Sequence, residues 1–233
     1  MRTVAVVLAG GSGSRFGGDT PKQLRLLAGR SLLEHCVAAF DQAPAVDEVL
    51  VVTPAGRIEG TAAELRGYRK LRAVVAGGSA RSDSTRQAIA AIQAGGTAEA
   101  NVLFHDAARP LVDQRIIADC VAALGTWQAI GVVVPTADTI VETDGTVLGQ
   151  VLPRAMLARC QTPQGFRLSV IARAHELAAA DPAFTATDDC GVVRQYLPAI
   201  PIGAVQGSER NLKVTYPGDL AVAEVLLREA GEV

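Results

Sequence analysis

Cysteine and histidine are both sparse in this chain of 233 residues, at four and three copies. Cys36, Cys120, Cys160 and Cys190 are scattered and include no CxxC pair. Neither a disulfide framework nor a structural zinc site is therefore expected, and each cysteine reads as a small buried hydrophobe. No cluster of His and Cys supplies a general base or nucleophile. Polybasic tracts are lacking and the formal net charge is −2, which disfavours nucleic-acid binding. Apolar runs do not exceed strand length, so no segment is expected to span a membrane. The run after Arg2 is also too short for the core of a signal peptide. These omissions lead to the expectation of a cytoplasmic protein. Hydrophobic residues make up 49% and charged residues 20% of the chain, ordinary values for a globular fold. The length admits one large domain or two small ones.

What the sequence does have begins at its start. An apolar strand, Val4–Leu8, runs into Ala9-Gly10-Gly11-Ser-Gly13-Ser-Arg15-Phe16-Gly-Gly, followed by Pro21-Lys22-Gln23. Glycines let backbone N–H groups approach a phosphate, and Arg15 and Lys22 add positive charge beside that polyanion. A Walker loop is disfavoured, because Gly13 and Gly18 have the spacing but Asp19 stands where lysine is required. A dinucleotide fingerprint has Gly11 and Gly13 but Phe16 at its third position, and no ribose carboxylate is evident.

Strand-like and helix-like runs alternate downstream. Strands are expected at Glu48–Thr53, Leu71–Val75, Val102–His105 and Ile130–Pro135. Helices are expected at Ser31–Phe40, Ile58–Leu65, Ser82–Ile92, Gln114–Leu124 and Pro217–Leu227. Such units predict an α/β, Rossmann-like fold, a mostly parallel sheet with helices on both faces. Ligands of these sheets gather at the carboxyl ends of strands, where the first glycine loop, Gly77-Gly78 and Asp106 all fall. The rhythm breaks over about 136–161, where Thr139 to Leu148 reads as a hairpin turning at Asp144-Gly145. A hairpin that interrupts the alternation predicts a lid or a dimerisation arm.

Three further segments carry polar chemistry. Gly77 to Thr85 opens a helix, where amides and hydroxyls suit an anion or a base edge, unless Ser82 or Ser84 merely caps it. His105-Asp106-Ala-Ala-Arg109-Pro ends an apolar strand. Asp106 there suits Mg²⁺, which takes few carboxylates plus phosphate oxygens, and Arg109 suits a substrate phosphate, unless the two simply pair with each other. His105 reads as a structural hydrogen-bond partner. Thr187-Asp-Asp sits at a helix start, and Asn211-Leu-Lys213-Val-Thr places Lys213 on a short expected strand.

Taken together, the glycine loop with Lys22, His-Asp-Ala-Ala-Arg-Pro, Gln161-Thr-Pro-Gln-Gly-Phe, Thr187-Asp-Asp and Asn211-Leu-Lys-Val-Thr resemble the motifs of the 2-C-methyl-D-erythritol 4-phosphate cytidylyltransferase family. The resemblance covers essentially the whole chain, as one domain over 1–233. It implies CMP transfer from CTP to a polyol phosphate, with Arg15, Lys22 and Lys213 stabilising the transition state. It further implies CTP contacts from Leu8, Ala9, Gly10, Gly11, Gly13, Gly77, Ser84 and Asp106, and Mg²⁺ oriented by Asp106. The polyol phosphate would meet Arg109, Thr139 and Arg154, the last two contributed by the partner subunit of a homodimer. Departures exist: Val141 follows Ile140 where the family often has lysine, and no tryptophan precedes the Thr-Pro-Gln motif. Leu8-Ala-Gly-Gly, Val52-Thr-Pro-Ala and Gln114-Arg-Ile-Ile look more like the sister ribitol-5-phosphate cytidylyltransferases. Both acceptors are carried forward as expectations, methylerythritol phosphate ahead. A nucleotide-sensing module without catalysis and a nicotinamide oxidoreductase stand as the more distant readings.

Overall fold

The computed structural model describes residues 1–11, 16, 21–185 and 187–231. In chain order the elements are β1 (Thr3–Leu8), β2 (Leu26–Leu27), β3 (Arg30–Ser31), α1 (Leu32–Gln42), β4 (Glu48–Thr53), α2 (Ile58–Glu64), β5 (Leu71–Ala76) and α3 (Arg81–Ala94). They continue as β6 (Asn101–Asp106), α4 (Gln114–Ala123), β7 (Ala129–Pro135), β8 (Val141–Thr143), β9 (Leu148–Val151), β10 (Ala158–Arg167), α5 (Leu168–Ala179), α6 (Asp189–Tyr196), β11 (Ile202–Gln206) and α7 (Gly218–Glu229).

Seven of the strands form one sheet in the order β11-β7-β10-β6-β1-β4-β5. All neighbours are parallel except β10, which runs against both β6 and β7. The sheet is thus mostly parallel and Rossmann-like, as the alternation predicts. Residues alternate across β1 because successive side chains leave a strand on opposite faces. Ala5 and Val7 pack with Leu33 and Phe40 of α1 and Ile116 and Ile117 of α4. Val4 and Val6 pack with Ile89 and Ile92 of α3 and Ile171 of α5. All six residues of β1 are buried, the continuous apolar pattern of a parallel strand covered on both sides. Each of its valines contributes roughly 1.5–3 kcal/mol by leaving water.

Helix starts are fixed by local carboxyls and hydroxyls. Ser31 Oγ accepts from Glu34 N–H, and Asp113 Oδ1 from Ile116 N–H. The start of α3 departs from expectation. Neither Ser82 nor Ser84 caps it; the cap position is Ala80, whose N–H donates to Asp83 Oδ2 in the first turn. The short strand expected at Asn211–Thr215 is also not formed. Val214 N–H gives one backbone bond to Ala108 O, at 2.8 Å, and the segment is otherwise irregular. Cys36 and Cys120 are buried as expected, whereas Cys160 is exposed.

The expected hairpin is β8 paired antiparallel with β9. Asp144 Oδ1 accepts from the N–H groups of Thr146 and Val147, and Gly145 adopts φ +97°, a left-handed conformation that favours glycine. Val147, Leu148 and Val151 are exposed on this arm.

Candidate functional site

Because β5, β4, β1 and β6 are parallel neighbours, their following loops emerge along one edge of the sheet. Leu8 stands directly beside Asp106 in the β1–β6 register. Around these ends lies a cleft of about 410 Å³, a volume suited to a small-molecule ligand. Leu8, Ala9, Gly10 and Gly11 form one wall, and Gly78 to Arg81 with Ser84 another. Lys22, Gln23, Phe16, Asp106 to Ala108, Lys213 and Thr215 complete it. Three segments far apart in sequence thus meet on one rim, as read from the strand ends.

The glycine loop is held from behind by Gln23, whose Nε2 donates to Ala9 O at 2.7 Å. Ser84 is buried between two glycine-bearing loops. A Cβ on Gly10 would stand 3.2 Å from Ser84 Oγ, and one on Gly77 only 2.7 Å away. Gly77 does not itself line the cleft; its missing side chain lets Ser84 sit where it does. Arg15 and Gly13 lie outside the described residues.

Asp106 is the electrostatic centre. Its Oδ2 accepts from Lys213 Nζ at 2.7 Å, and its Oδ1 lies 3.6 Å from Arg81 Nε. Burial opposes its ionisation, but Arg81 and Lys213 outweigh that penalty and hold the carboxyl well below the usual carboxylate range. Its backbone N–H donates to Thr162 Oγ1 at 3.1 Å. The same hydroxyl meets His105 Nδ1, whose ring places Nε2 3.0 Å from Arg109 O. A carbonyl can only accept, so Nε2 carries the proton and Nδ1 accepts from Thr162. Burial keeps the imidazole pKa down at about 4, so His105 is neutral at pH 7. It acts as a structural link, as expected.

Arg109 is turned inward. Its Nη1 donates to Asn211 O and its Nη2 to Cys160 O, while Nε is buried without a partner. It makes no ion pair with Asp106 and does not line the cleft. In this arrangement it braces the segment that carries Lys213. Thr139 and Arg154 are exposed at the root of the β8–β9 arm, where Arg154 Nη1 donates to Ala137 O at 3.3 Å. They too lie outside the cleft wall of the same chain.

The two aspartates of Thr187-Asp-Asp have different partners. Asp188 caps α6 through Gly191 N–H at 2.7 Å. Asp189 is fully buried, accepting from Arg81 Nη1 at 2.7 Å and from His175 Nε2 at 3.1 Å. Arg81 falls within the segment from Gly77 to Thr85, to which the sequence assigns no cation. Its partner lies 108 positions away, so no local spacing could reveal it.

Among the described residues no group of three or more His, Cys, Asp or Glu could hold a metal ion by itself. One cleft-facing carboxylate is nevertheless the donor set that Mg²⁺ uses when phosphate oxygens supply the remaining ligands. No helix among the described residues is long and apolar enough to cross a membrane.

Comparison with known proteins gives one consistent result. The family model for 2-C-methyl-D-erythritol 4-phosphate cytidylyltransferase matches residues 3–229. A protein of that name from Thermobifida fusca is 52% identical, over 97% of this chain and 94% of its own. The crystal structure of 2-C-methyl-D-erythritol 4-phosphate cytidylyltransferase from Thermus thermophilus superposes with a TM-score of 0.77 at 31% identity, covering 96% of this chain and 98% of that one. A bifunctional ribulose 5-phosphate reductase/CDP-ribitol pyrophosphorylase from Haemophilus influenzae is 37% identical over 97% of this chain, which spans 48% of that protein.

Proposed function

The chain belongs to the 2-C-methyl-D-erythritol 4-phosphate cytidylyltransferase family, and on that premise we propose that it transfers CMP from CTP to 2-C-methyl-D-erythritol 4-phosphate, releasing pyrophosphate, in isoprenoid precursor synthesis. It is a nucleotidyltransferase. The observation that carries the reading is the convergence of the glycine loop, Lys22, Asp106 and Lys213 on one cleft at the sheet edge.

A phosphate monoester is mostly dianionic at neutral pH, because its second pKa is about 6. Its oxygen attacks the α-phosphorus in line, and the bond to the bridging oxygen breaks, so that the electron pair leaves with pyrophosphate. No base is required, which agrees with a neutral, buried His105. The protein's part is to position two polyanions and to offset the charge that develops on phosphorus. Lys22 and Lys213 do this from the cleft wall, and Arg15 is assigned the same role from its place in the motif. Gly10, Gly11, Gly13 and Ser84 cradle the nucleotide, with Gly77 giving Ser84 its room. Asp106 would hold Mg²⁺, whose charge neutralises the triphosphate when bound.

Thr139 and Arg154 serve the acceptor phosphate from a partner subunit, since they stand on the arm and not on this chain's own cleft. The exposed Val147, Leu148 and Val151 give that arm an apolar face for a second copy. Arg109 contributes by holding the Lys213 segment and reaches an acceptor phosphate only if it releases a carbonyl. The whole chain is read as one cytidylyltransferase domain with its arm at about 136–161. With two phosphorylated metabolites as substrates, it works in the cytoplasm.

The test is pyrophosphate release from CTP and Mg²⁺ with methylerythritol 4-phosphate and ribitol 5-phosphate offered separately. Release with the first acceptor is expected. Release with ribitol 5-phosphate alone favours the second reading, for which the CDP-ribitol-forming relative speaks. Release with neither overturns both.

A further inference from the structure

Arg81 faces two carboxylates and divides itself unequally between them. Its Nη1 is 2.7 Å from Asp189 Oδ2, while its Nε stands 3.6 Å from Asp106 Oδ1, beyond hydrogen-bond distance. Asp189 is 0% exposed and ionised in the fold, because Arg81 and His175 outweigh the cost of burying it. It is also firmly mounted. Its N–H donates to Gln164 Oε1 on β10, and the adjacent Asp188 accepts from Gln164 Nε2 at 2.7 Å. His175, buried on α5, occupies its other oxygen.

We infer that Asp189 is a positioning residue that draws Arg81 away from Asp106 and so keeps the Asp106 carboxylate open for the divalent cation that accompanies the nucleotide. The physical argument is competition. A guanidinium freed from Asp189 would close the remaining distance to Asp106 and form a two-pronged ion pair. With Lys213 already on Oδ2, the carboxylate would then be covered on both oxygens. Three of its roughly four lone-pair sites would then be taken, leaving little for a cation. Arg81 Nη2, buried without a partner, is the second prong available for that pairing. Asp189 never touches the nucleotide, and its effect runs entirely through Arg81.

The inference rests on the proposed CTP site, and calorimetric titration of CTP at several free Mg²⁺ concentrations tests both separately. Failure of the unmodified enzyme to bind CTP at any Mg²⁺ concentration would overturn the site itself. In Asp189→Asn, Mg²⁺-supported CTP binding is expected to weaken roughly tenfold to a hundredfold, as when the supporting partner of a metal ligand is lost. That deficit should shrink as Mg²⁺ is raised, while kcat at saturation stays close to that of the unmodified enzyme. A merely structural defect would weaken CTP equally at every Mg²⁺ concentration, and that result overturns the inference, as does unchanged binding. If Asp189→Asn does not fold, His175→Gln loosens the same anchor and decides. The same Mg²⁺-dependent deficit, smaller in size, is expected, and its absence counts against the inference.

Discussion

Lys213 Nζ lies 2.7 Å from Asp106 Oδ2 across 107 positions of sequence. The pair joins the segment before α7 to the end of β6 at the floor of the cleft. Lys213 is partly exposed, so its charge is offered to ligand as well as to Asp106. Lys213→Ala should lower kcat by about 10²–10³-fold, the usual cost of removing one preorganised charge donor. Thermal melting should stay near that of the unmodified protein. Steady-state pyrophosphate release measures the first and circular dichroism the second; near-normal turnover would remove Lys213 from the mechanism.

Lys22 enters the cleft from the other wall, beside the glycine loop. Lys22→Ala is expected to cost about 10²-fold or more in turnover without unfolding the chain. Lys22→Arg should recover part of the loss, since charge is kept while the shape of the donor changes. Equal activity of the alanine variant and the parent would refute the role.

A side chain on Gly77 would force Ser84 to shift. A Cβ there meets Ser84 Oγ at 2.7 Å and Val52 Cγ1 at 3.1 Å. Gly77→Ala should therefore destabilise the fold by about 1–3 kcal/mol and weaken CTP binding further by displacing Ser84. Denaturant titration and calorimetry give the two numbers. A variant as stable and as tight-binding as the parent would show that Ser84 can move freely.

Acid should act through Asp189. Burial opposes its charge, but Arg81 and His175 prevail and hold its carboxyl below the usual range. The unfolded chain, with an ordinary aspartate pKa of about 3.9, binds the proton first as pH falls. The stabilisation is therefore complete above that value and lost as pH drops through the lower folded value. Denaturation midpoints of the parent should decline on this limb, and those of Asp189→Asn should decline less steeply. Parallel profiles would contradict the assignment.

Subunit mixing tests the arm. Lys213→Ala impairs the cleft, and Arg154→Ala impairs the arm. If the arm serves its partner's cleft, a mixed dimer contains one cleft with both residues intact. Co-refolded chains should regain activity that neither variant has alone. No recovery, with dimers confirmed by sedimentation, would return Arg154 to its own chain.

The sheet was legible because β1, β4, β6 and β7 each carry an apolar run through their centre, the mark of a strand covered on both faces. The glycine loop, Gly77-Gly78 and Asp106 could be brought together by one rule about strand ends. β10 escaped notice for the opposite reason. Its buried centre carries Gln161, Thr162 and Gln164, polar residues that no hydrophobic period identifies as a sheet interior. Their amides and hydroxyl are spent inside the fold, on Asn211, Asp106, His105 and Asp188. The Arg81–Asp189 pair and the inward turn of Arg109 depend on contacts between distant segments, which spacing alone does not encode.

The reversed direction of β10 has a consequence for how such an enzyme can change. The chain leaves the arm, enters the sheet between β7 and β6, and on its way fastens the backbone of Asp106, the mount of Asp189 and one prong of Arg109. Loop residues at the arm's tip carry none of these attachments. Tip substitutions can therefore accumulate while the residues fastened by β10 are inherited intact. A single inserted residue within β10 would dislodge every attachment at once. Variation among such enzymes should gather at the tip and spare the strand.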